Sequence, residues 1–162
     1  MAARFCIFGS LFLAAIGWGI AAGERGTIPL AIVAGVLLWT AIEYLMHRYA
    51  FHGFAPHTEH HADPKDVKYI VAPFPLSLSV SVGLWLALWL LLRSTSLPGL
   101  VLAGVWAGYL AYEGIHLRIH STAPGGTLLR ALRRYHYRHH FADDSVHYGV
   151  TSPLWDVVFR TQ

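Results

Sequence analysis

The sequence predicts an all-α integral membrane protein in which four transmembrane helices form two hairpins and carry a cytoplasmic cap of histidine-rich helices. Hydrophobic residues make up 55% of the chain and charged residues 13%, whereas about a quarter of an average soluble domain is charged. Four apolar stretches each have the roughly 17–25 residues that a spanning helix needs. The 11 histidines lie outside the central parts of those stretches. A length of 162 residues suits one domain, so we expect a single membrane-embedded domain over residues 1–162.

The apolar stretches come in two closely spaced pairs. They cover residues 5–22, 28–46, 74–92 and 97–115. The links within the pairs, Gly23 to Thr27 and Arg93 to Ser96, are very short, so we expect each pair to form an antiparallel helical hairpin. Nearly all the remaining polarity lies in residues 47–73 and 116–162.

The basic residues predict the orientation of these helices. Only Arg25 and Arg93 lie in the two short links. The other ten lie on the opposite side: Arg4, Arg48, Lys65, Lys68, Arg118, Arg130, Arg133, Arg134, Arg138 and Arg160. Because positive charge accumulates on the cytoplasmic side, we expect both termini and both polar segments in the cytoplasm. The alternative is a cleaved signal peptide over residues 1–22, which would leave three spans and separate the two polar segments.

Composition excludes several classes of protein. Aromatic residues make up 14% of the chain, which supplies too much apolar surface for intrinsic disorder. The one cysteine, Cys6, excludes a disulfide framework and a cysteine-rich metal site. A net charge of +3 is too small to predict nucleic-acid binding, because membrane topology already accounts for the basic residues.

The histidines form two sets, one after the second span and one after the fourth. The first set is His47, His52, His57, His60 and His61, and the second is His116, His120, His136, His139, His140 and His147. An even number of crossings separates the sets, so we expect both on one membrane face, where they can meet. Clusters of this density are not expected by chance and predict a metal site.

The spacing within each set predicts convergent imidazoles. His116 and His120 are four residues apart, so on a helix they lie on the same face. In HTEHH and HYRHH, positions one, four and five share a face in the same way, and each segment can aim two or three rings at one point. His47 and His52 are five apart and diverge on a regular helix, and Gly53 predicts that the helix ends or distorts there.

Ten clustered histidines predict two metal ions. Four imidazoles saturate a tetrahedral zinc site, so ten are too many for one ion, and imidazole binds Fe, Zn, Cu and Ni alike. Nearby carboxylates are candidates to bond the outer ring nitrogens. These candidates are Glu43, Glu113, Asp63 and Asp143. The two glutamates are the stronger ones, because a carboxylate in the last turn of a membrane helix is costly without a partner. For Asp66 and Asp144 we expect helix capping or solvation.

Four histidine motifs follow the paired membrane helices in the order HRYAFH, HTEHH, HLRIH and HYRHH. In this order they resemble the fatty acid hydroxylase and sterol desaturase superfamily, over residues 39–162. The closing segment YHYRHHFADDSVHYGVTSPLWDVVFRT is similar to the end of the membrane fatty acid 2-hydroxylases. In those enzymes an HH pair is followed by a G-V-T-S-x-x-W-D-x-x-F-x-T run.

The resemblance implies a non-haem dimetal centre, with two Fe when active and Zn able to substitute, that uses O2 and two electrons to hydroxylate a C–H bond of a membrane lipid. By motif match its ligands are His47, His52, His57, His60, His61, His116, His120, His136, His139 and His140. His147 has no counterpart in the motifs, so we expect it beside the site rather than on a metal. No cytochrome b5-like domain precedes the first helix, so we expect an external electron donor, such as ferredoxin or cytochrome b5 with its reductase.

Several functions stay open at this point. The leading hypothesis is hydroxylation of a lipid acyl chain. A carotenoid ring hydroxylase is the main alternative within the same chemistry, since those enzymes resemble this chain in size and motifs, but the closing segment favours the acyl enzyme. A sterol desaturase is a further alternative. Outside catalysis, a metal-binding or transport protein would be expected to carry its ligands at mid-membrane, and complete motifs argue against a silent helper subunit.

Five aromatic residues in the second and fourth spans have two interpretations. They are Trp39, Tyr44, Trp106, Tyr109 and Tyr112. They line a lateral passage for an acyl chain, or they form an interfacial belt and pack the helices together.

Overall fold

The computed structural model describes residues 2–94, 96–121 and 125–162, so the predicted link from Arg93 to Ser96 is described only in part. All regular secondary structure in these residues is helical. The α-helices are α1 (Ala2–Ala21), α2 (Ile28–Leu45), α3 (Ala55–Ala62), α4 (Val67–Ile70), α5 (Phe74–Leu92), α6 (Leu97–Ser121), α7 (Thr127–Phe141) and α8 (Leu154–Phe159). A π-helical turn, Met46–Ala50, and a 3-10 turn, Phe51–Gly53, follow α2 directly. The all-α prediction is confirmed.

Four helical segments are long and apolar enough to cross a membrane. They are Ala3–Ala21, Ile28–Gly53, Val67–Leu92 and Leu97–Ser121. Each overlaps one of the predicted apolar stretches, so the prediction of four candidate spans is confirmed. Helix α6, which forms the fourth candidate span, continues past the predicted end at residue 115 and carries His116 and His120. The hairpin pairing and the cytoplasmic location of the histidines stay predictions.

The chain divides into two compact units. The first comprises residues up to Trp39 and Pro73–Leu110, and the second comprises Thr40–Ala72 and Ala111–Gln162. The first unit holds α1, α5 and the larger parts of α2 and α6. The second unit holds all 11 histidines. A single domain over residues 1–162 stays a prediction.

Within the first unit, α2 and α6 pack with their backbones in close contact. A Cβ added to Gly35 would collide with the backbone oxygen of Val101, and one added to Gly104 would collide with that of Ile32. Small residues allow such close approach between membrane helices, where packing rather than the hydrophobic effect drives association. Glycine is therefore required at both positions.

An aromatic cluster lies beside this crossing in the first unit. Phe8 is completely buried, and its ring lies 5.3 Å from that of Tyr109 and 6.1 Å from that of Trp106. Trp39 packs edge-on against Tyr109 at 5.2 Å. The Tyr109 hydroxyl bonds Ser77 Oγ at 2.8 Å, so its polar atom is satisfied within the bundle. These contacts favour the packing interpretation for Trp39, Trp106 and Tyr109.

Helix α5 contrasts with α6, because none of its residues is buried. Its sequence is apolar almost throughout, and Trp89 is 47% exposed and Leu91 76% exposed. A helix that is hydrophobic on all sides belongs in a membrane or a protein core. The exposed apolar surface of α5 therefore suits contact with lipid.

Candidate metal centre

Ten of the eleven histidines form two compact groups in the second unit. Group A is His47, His52, His57, His61 and His139, and group B is His60, His116, His120, His136 and His140. Within each group, one ring nitrogen from every residue lies within 4.8 Å of the corresponding nitrogens of the other four. The ten are the same histidines that the motifs single out, and the structure divides them five and five.

The two HX2HH motifs contribute to both groups. On α3, His57 and His61 join group A, whereas the intervening His60 joins group B. On α7, His136 and His140 join group B, whereas His139 joins group A. Residues four apart lie nearly above one another on a helix, whereas adjacent residues are rotated by about 100°. Each motif therefore contributes to both groups, and only its first and fifth histidines converge on one point.

The HRYAFH segment brings its two histidines together through a change in helix type. The backbone N–H of Phe51 bonds the carbonyl of Met46, five residues earlier, as in a π-helix. His47 and His52 have the same five-residue separation, so the wider turn brings them to one side, with ring centroids 5.5 Å apart. The predicted distortion is present, and it begins at Met46, before Gly53. π-helical turns occur often at functional sites.

In group B the Nε2 atoms converge too closely for hydrogen bonding to explain. His136 Nε2 lies 3.2 Å from the Nε2 of His116 and 3.0 Å from those of His120 and His140. A ring nitrogen carries either one proton or one lone pair, so His136 cannot satisfy three such neighbours. Two nitrogens bound at right angles to an ion at about 2.1 Å are about 3.0 Å apart. The distances therefore fit five ligands around one cation.

Group A fits a cation for a related reason. The Nε2 atoms of His57 and His61 are 3.1 Å apart. The Nε2 atoms of His47, His52 and His139 are buried and have no hydrogen-bond partner among the described residues. Leaving buried polar atoms unpaired costs free energy, and one metal ion bound by these nitrogens would remove that cost for all of them.

Three histidines have their outer nitrogen bonded to a backbone carbonyl. His139 Nδ1 lies 2.7 Å from the carbonyl oxygen of Val146 and His116 Nδ1 lies 3.0 Å from that of Ile70. His47 Nδ1 bonds the carbonyl oxygen of Tyr148. Since a carbonyl can only accept, Nδ1 carries the proton in each ring. The Nε2 lone pair then faces the group, which is the tautomer that a metal requires.

For the histidines that lie outside the candidate membrane spans, burial favours the neutral form of the imidazole. Burial, reinforced by neighbouring imidazoles, lowers the pKa of His60 to about 3. Burial also lowers the pKa of His139 to about 4, although its bond to the Val146 carbonyl opposes that shift. The same main cause lowers the pKa of His57, His61, His136 and His140. Neutral imidazole is the form that binds metal, so the rings are ready to bind near neutral pH.

The two groups are direct neighbours. His61 of group A stacks on His140 of group B, with ring centroids 4.2 Å apart and planes inclined by 22°. His139 and His140, one from each group, are adjacent in the chain. Ions held by the two groups would therefore form a pair rather than two independent sites.

Three of the four carboxylates expected to bond outer ring nitrogens accept hydrogen bonds from other groups. Glu43 is 4% exposed, and it accepts hydrogen bonds from the backbone N–H groups of Val150 (2.6 Å) and Thr151 (2.8 Å) and from the Thr151 hydroxyl. Asp63 and Asp143 are exposed and accept bonds from residues of their own loops.

The remaining acidic residues near the histidines lie in different environments. Asp66 accepts a bond of 2.9 Å from the backbone N–H of Lys68 at the start of α4, so its predicted capping role is confirmed. Asp144 is exposed, whereas Glu113 on α6 is almost completely buried at 1% exposure.

His147 lies outside both groups. Its backbone adopts a left-handed conformation with φ of 59°, and its N–H bonds the Thr161 carbonyl at 2.7 Å. Its ring packs edge-on against Tyr135 with centroids 4.4 Å apart. These contacts describe a residue that connects the segment after α7 to the C-terminal end of the chain.

Sequence reasoning overlooked Tyr148, in the segment between α7 and α8, and Asp156 on α8. The Tyr148 ring lies 5.4 Å from that of His139 and 5.7 Å from those of His47 and His52. Asp156 is completely buried and bonds the backbone N–H groups of Tyr148 and Gly149. The aspartate of the closing G-V-T-S-x-x-W-D run was the one available signal, since a carboxylate in an apolar segment needs a partner.

Most of the chain is similar to known proteins. The model of the fatty acid hydroxylase family matches residues 32–161. The chain belongs to the fatty acid hydroxylase family. It is 35% identical over 156 residues to a dihydroceramide fatty acyl 2-hydroxylase of Arabidopsis thaliana, and the alignment covers 88% of this chain and 65% of the plant protein. It is 32% identical over 151 residues to the fatty acid 2-hydroxylase of Homo sapiens, covering 85% of its own length and 40% of the human protein.

The fold of this fatty acid hydroxylase family member also matches a solved structure. The visible hydroxylase domain of scs7p aligns with a TM-score of 0.85 and 29% identity, over 98% of this chain and 64% of that one. The chain thus spans less than two thirds of the length of each of these three proteins.

Proposed function

We propose that this protein hydroxylates an acyl chain of a membrane lipid at a di-iron centre whose ligands are the ten histidines of groups A and B. One observation carries the proposal: two adjacent groups of five imidazoles, each with its nitrogens within 4.8 Å of one another. Membership of the fatty acid hydroxylase family supports the reaction class. The resemblance to the motifs of that family supports iron over zinc, since the donor atoms alone suit several metals.

The reaction consumes one O2, two electrons and two protons. One oxygen atom is inserted into a C–H bond to give C–OH, and the other leaves as water. The bound metals would supply the activation of O2, which protein side chains alone do not provide. The chain's own part is to hold ten imidazoles in place. The bonds from Nδ1 of His47, His116 and His139 to backbone carbonyls leave the Nε2 lone pairs of these three rings free of protons.

The number of ligands supports a reactive rather than a structural centre. Structural metal sites are closed by their protein ligands, whereas catalytic sites keep one position open. Five nitrogens per ion leave one position of an octahedral shell without a protein ligand. Group A includes the half-buried His52 and His61, and group B the half-buried His140, so the centre retains partly accessible edges.

We infer that the oxidised position is carbon 2 of a fatty acyl chain. This rests on relatives, since the plant and human proteins are named as acyl and fatty acid 2-hydroxylases. Four candidate spans suit a substrate that resides in the membrane. The same names favour an acyl substrate over the carotenoid ring and sterol alternatives.

The electrons are proposed to come from a separate protein such as ferredoxin or cytochrome b5 with its reductase. The 162 residues contain no flavin, haem or nicotinamide motif, so a donor outside them has to supply the two electrons.

We propose a cytoplasmic location for the histidine groups and both termini. Ten of the 12 Lys and Arg residues are predicted to lie on the same side as the histidines, and positive charge accumulates on the cytoplasmic side of a membrane. Reporters fused after Gln162 and within residues 62–68 should both report cytoplasm, and one at Gly26 the opposite side.

The function is tested with purified protein loaded anaerobically with Fe(II) and given lipid, 18O2, ferredoxin and its reductase. We expect a hydroxylated acyl product carrying one 18O, and no product when the reductase or O2 is omitted. His60→Ala should abolish the product, because it removes a proposed ligand. Label from H2(18)O in the product, or turnover without O2, would contradict an oxygenase and favour hydrolysis or isomerisation.

A further inference from the structure

Four consecutive backbone N–H groups after α7 are held by two buried carboxylates. Asp156 accepts from Tyr148 N at 2.9 Å and from Gly149 N at 2.8 Å. Glu43 accepts from the next two, Val150 and Thr151. Asp156 is completely buried and Glu43 is 4% exposed. Burying a carboxylate is costly unless it is well hydrogen-bonded. Two buried carboxylates bonded to one short segment therefore indicate that the backbone conformation of that segment is tightly fixed.

One of these bonds fixes the carbonyl that His47 uses. The carbonyl of Tyr148 and the N–H of Gly149 belong to the same peptide group. The described residues contain no cis peptide bond, so this group is trans and its C=O and N–H point in opposite directions. Asp156 Oδ2 bonds the N–H end, and His47 Nδ1 donates to the carbonyl end. Asp156 and His47 are therefore connected through a single peptide group.

The local sequence fits this arrangement closely. A Cβ at Gly149 would collide with the Ser152 carbonyl oxygen and lie 2.9 Å from Asp156 Oδ2, so only glycine allows the carboxylate this near. The other oxygen, Asp156 Oδ1, also accepts from the Thr161 hydroxyl at 2.8 Å. The carboxylate is thus held from the C-terminal side while it holds the peptide.

We propose that Asp156 is a positioning residue for group A, acting on His47 through the Tyr148–Gly149 peptide, with Glu43 holding the two N–H groups that follow. In many metal sites a carboxylate bonds the outer nitrogen of a ligating histidine directly and fixes its tautomer and orientation. Here a peptide group lies between the two, and its polarisation carries the effect of the negative charge to the imidazole. The inference rests on the proposed function, because it takes His47 as a ligand.

The same geometry predicts that the effect is confined to one group. In group B, His116 donates to the carbonyl of Ile70 at the end of α4. Ile70 lies far along the chain from the segment that Asp156 holds. A defect at Asp156 should therefore weaken the metal of group A and leave that of group B bound.

The test compares metal content and retention in full-length Asp156→Asn, His47→Ala and wild-type protein. Asparagine keeps the shape but places an NH2 against one of the two N–H groups. We expect about two metals per chain in wild type and about one in both variants after dialysis against a weak chelator. Changing a residue that bonds the outer nitrogen of a metal ligand typically weakens metal binding by about 10–100-fold. Asp156→Asn should therefore regain its second metal at high Fe(II), whereas His47→Ala should not. Glu24→Gln is the control, since Glu24 also accepts from hydroxyl groups but in the first unit.

A milder variant keeps the proposal testable if Asp156→Asn does not fold. Glu43→Gln retains one carbonyl oxygen for the Val150 and Thr151 N–H groups, and we expect it to release one metal faster than wild type while the other is retained. Wild-type retention of both metals in Asp156→Asn would overturn the inference. Equal loss of both metals from an Asp156→Asn protein that folds would also overturn it, because the effect would then not be confined to group A. Wild-type protein that binds no metal would overturn the proposed function itself, and this is read before any variant.

Discussion

Groups A and B each contain five histidines, but they rest on different kinds of backbone. Group B takes all its members from the regular helices α3, α6 and α7. Group A takes two of its five from the π-helical and 3-10 turns after α2. Two of its outer nitrogens are bonded to carbonyls of Val146 and Tyr148, in the irregular segment between α7 and α8. Group A therefore depends on irregular backbone that distant residues hold in place.

Two neighbouring histidine groups can therefore be held in place by different parts of the chain. The arrangement of group B follows largely from histidines spaced four apart on helices. That of group A also requires the contacts of Glu43 and Asp156 with the segment from Tyr148 to Thr151. A change in that segment should reach one metal, whereas a change in a ligand reaches whichever group it belongs to.

The largest effect on metal content and activity is expected from single variants that remove one proposed ligand, either from group A or from group B. His139→Ala in group A and His136→Ala in group B should each leave about one metal per chain and no measurable hydroxylation, because the proposed reaction needs both ions. Metal analysis and the product assay check this. His147→Ala is the control and should keep both metals, since it lies outside both groups. Loss of both metals from His147→Ala would show that the ligands are misassigned.

A smaller, one-sided effect is expected from Gly149→Ala. The added Cβ meets the Ser152 carbonyl, so the Tyr148 peptide has to shift and His47 loses its partner. We expect the affinity for one metal to fall by about 10–100-fold and the other to be unchanged, as measured by titration with a competing chelator. The control is Gly114→Ala on α6, where a Cβ meets nothing within 4 Å. Equal weakening of both metals would break the comparison between the groups.

A kinetic difference should appear in the unmodified protein. Group A has two half-buried histidines, His52 and His61, whereas group B has one, and the irregular backbone of group A opens more easily than regular helix. A chelator should therefore remove the metals in two phases, the faster from group A. His139→Ala, which lacks the metal of group A, should show the slow phase alone. A single phase in wild type would remove this distinction.

The smallest effect concerns pH, and the two groups should share it. In the metal-free protein the pKa of His60 is about 3 and that of His139 about 4, whereas in the unfolded chain both are about 6.5. Between these values the unfolded state binds more protons, so stability falls as the pH drops below about 6.5 and is constant in this respect above it. The melting temperature of metal-free protein should thus be lower at pH about 5 than at about 7.5. It should depend less on pH in both His60→Leu and His139→Leu. A higher melting temperature at the acidic pH would contradict the assigned burial.

Much of the molecule follows from local sequence. The four candidate spans are visible as apolar stretches, because a membrane demands about 20 apolar residues in a row. The helical placement of HTEHH, HLRIH and HYRHH is confirmed, since histidines four apart share a helix face. The π-helical turn was anticipated only as a distortion near Gly53, because a five-residue spacing shows that a regular helix fails without showing which backbone replaces it.

The number and spacing of the histidines and the length of the apolar stretches are readable along the chain, so the sequence alone predicts a histidine cluster next to four candidate spans. The four motifs that resemble the fatty acid hydroxylases narrow that cluster to ten residues, and these are the ten that the structure groups. The tertiary structure alone decided how they divide. His60 and His61 are adjacent in the chain yet belong to different groups, since a helix turns adjacent side chains about 100° apart and only the packing of α3, α6 and α7 determines what each one faces. The bonds of Glu43 to Val150 and of Asp156 to Gly149 were decided in the same way, because a buried carboxylate bonds whichever N–H groups the folded chain brings to it.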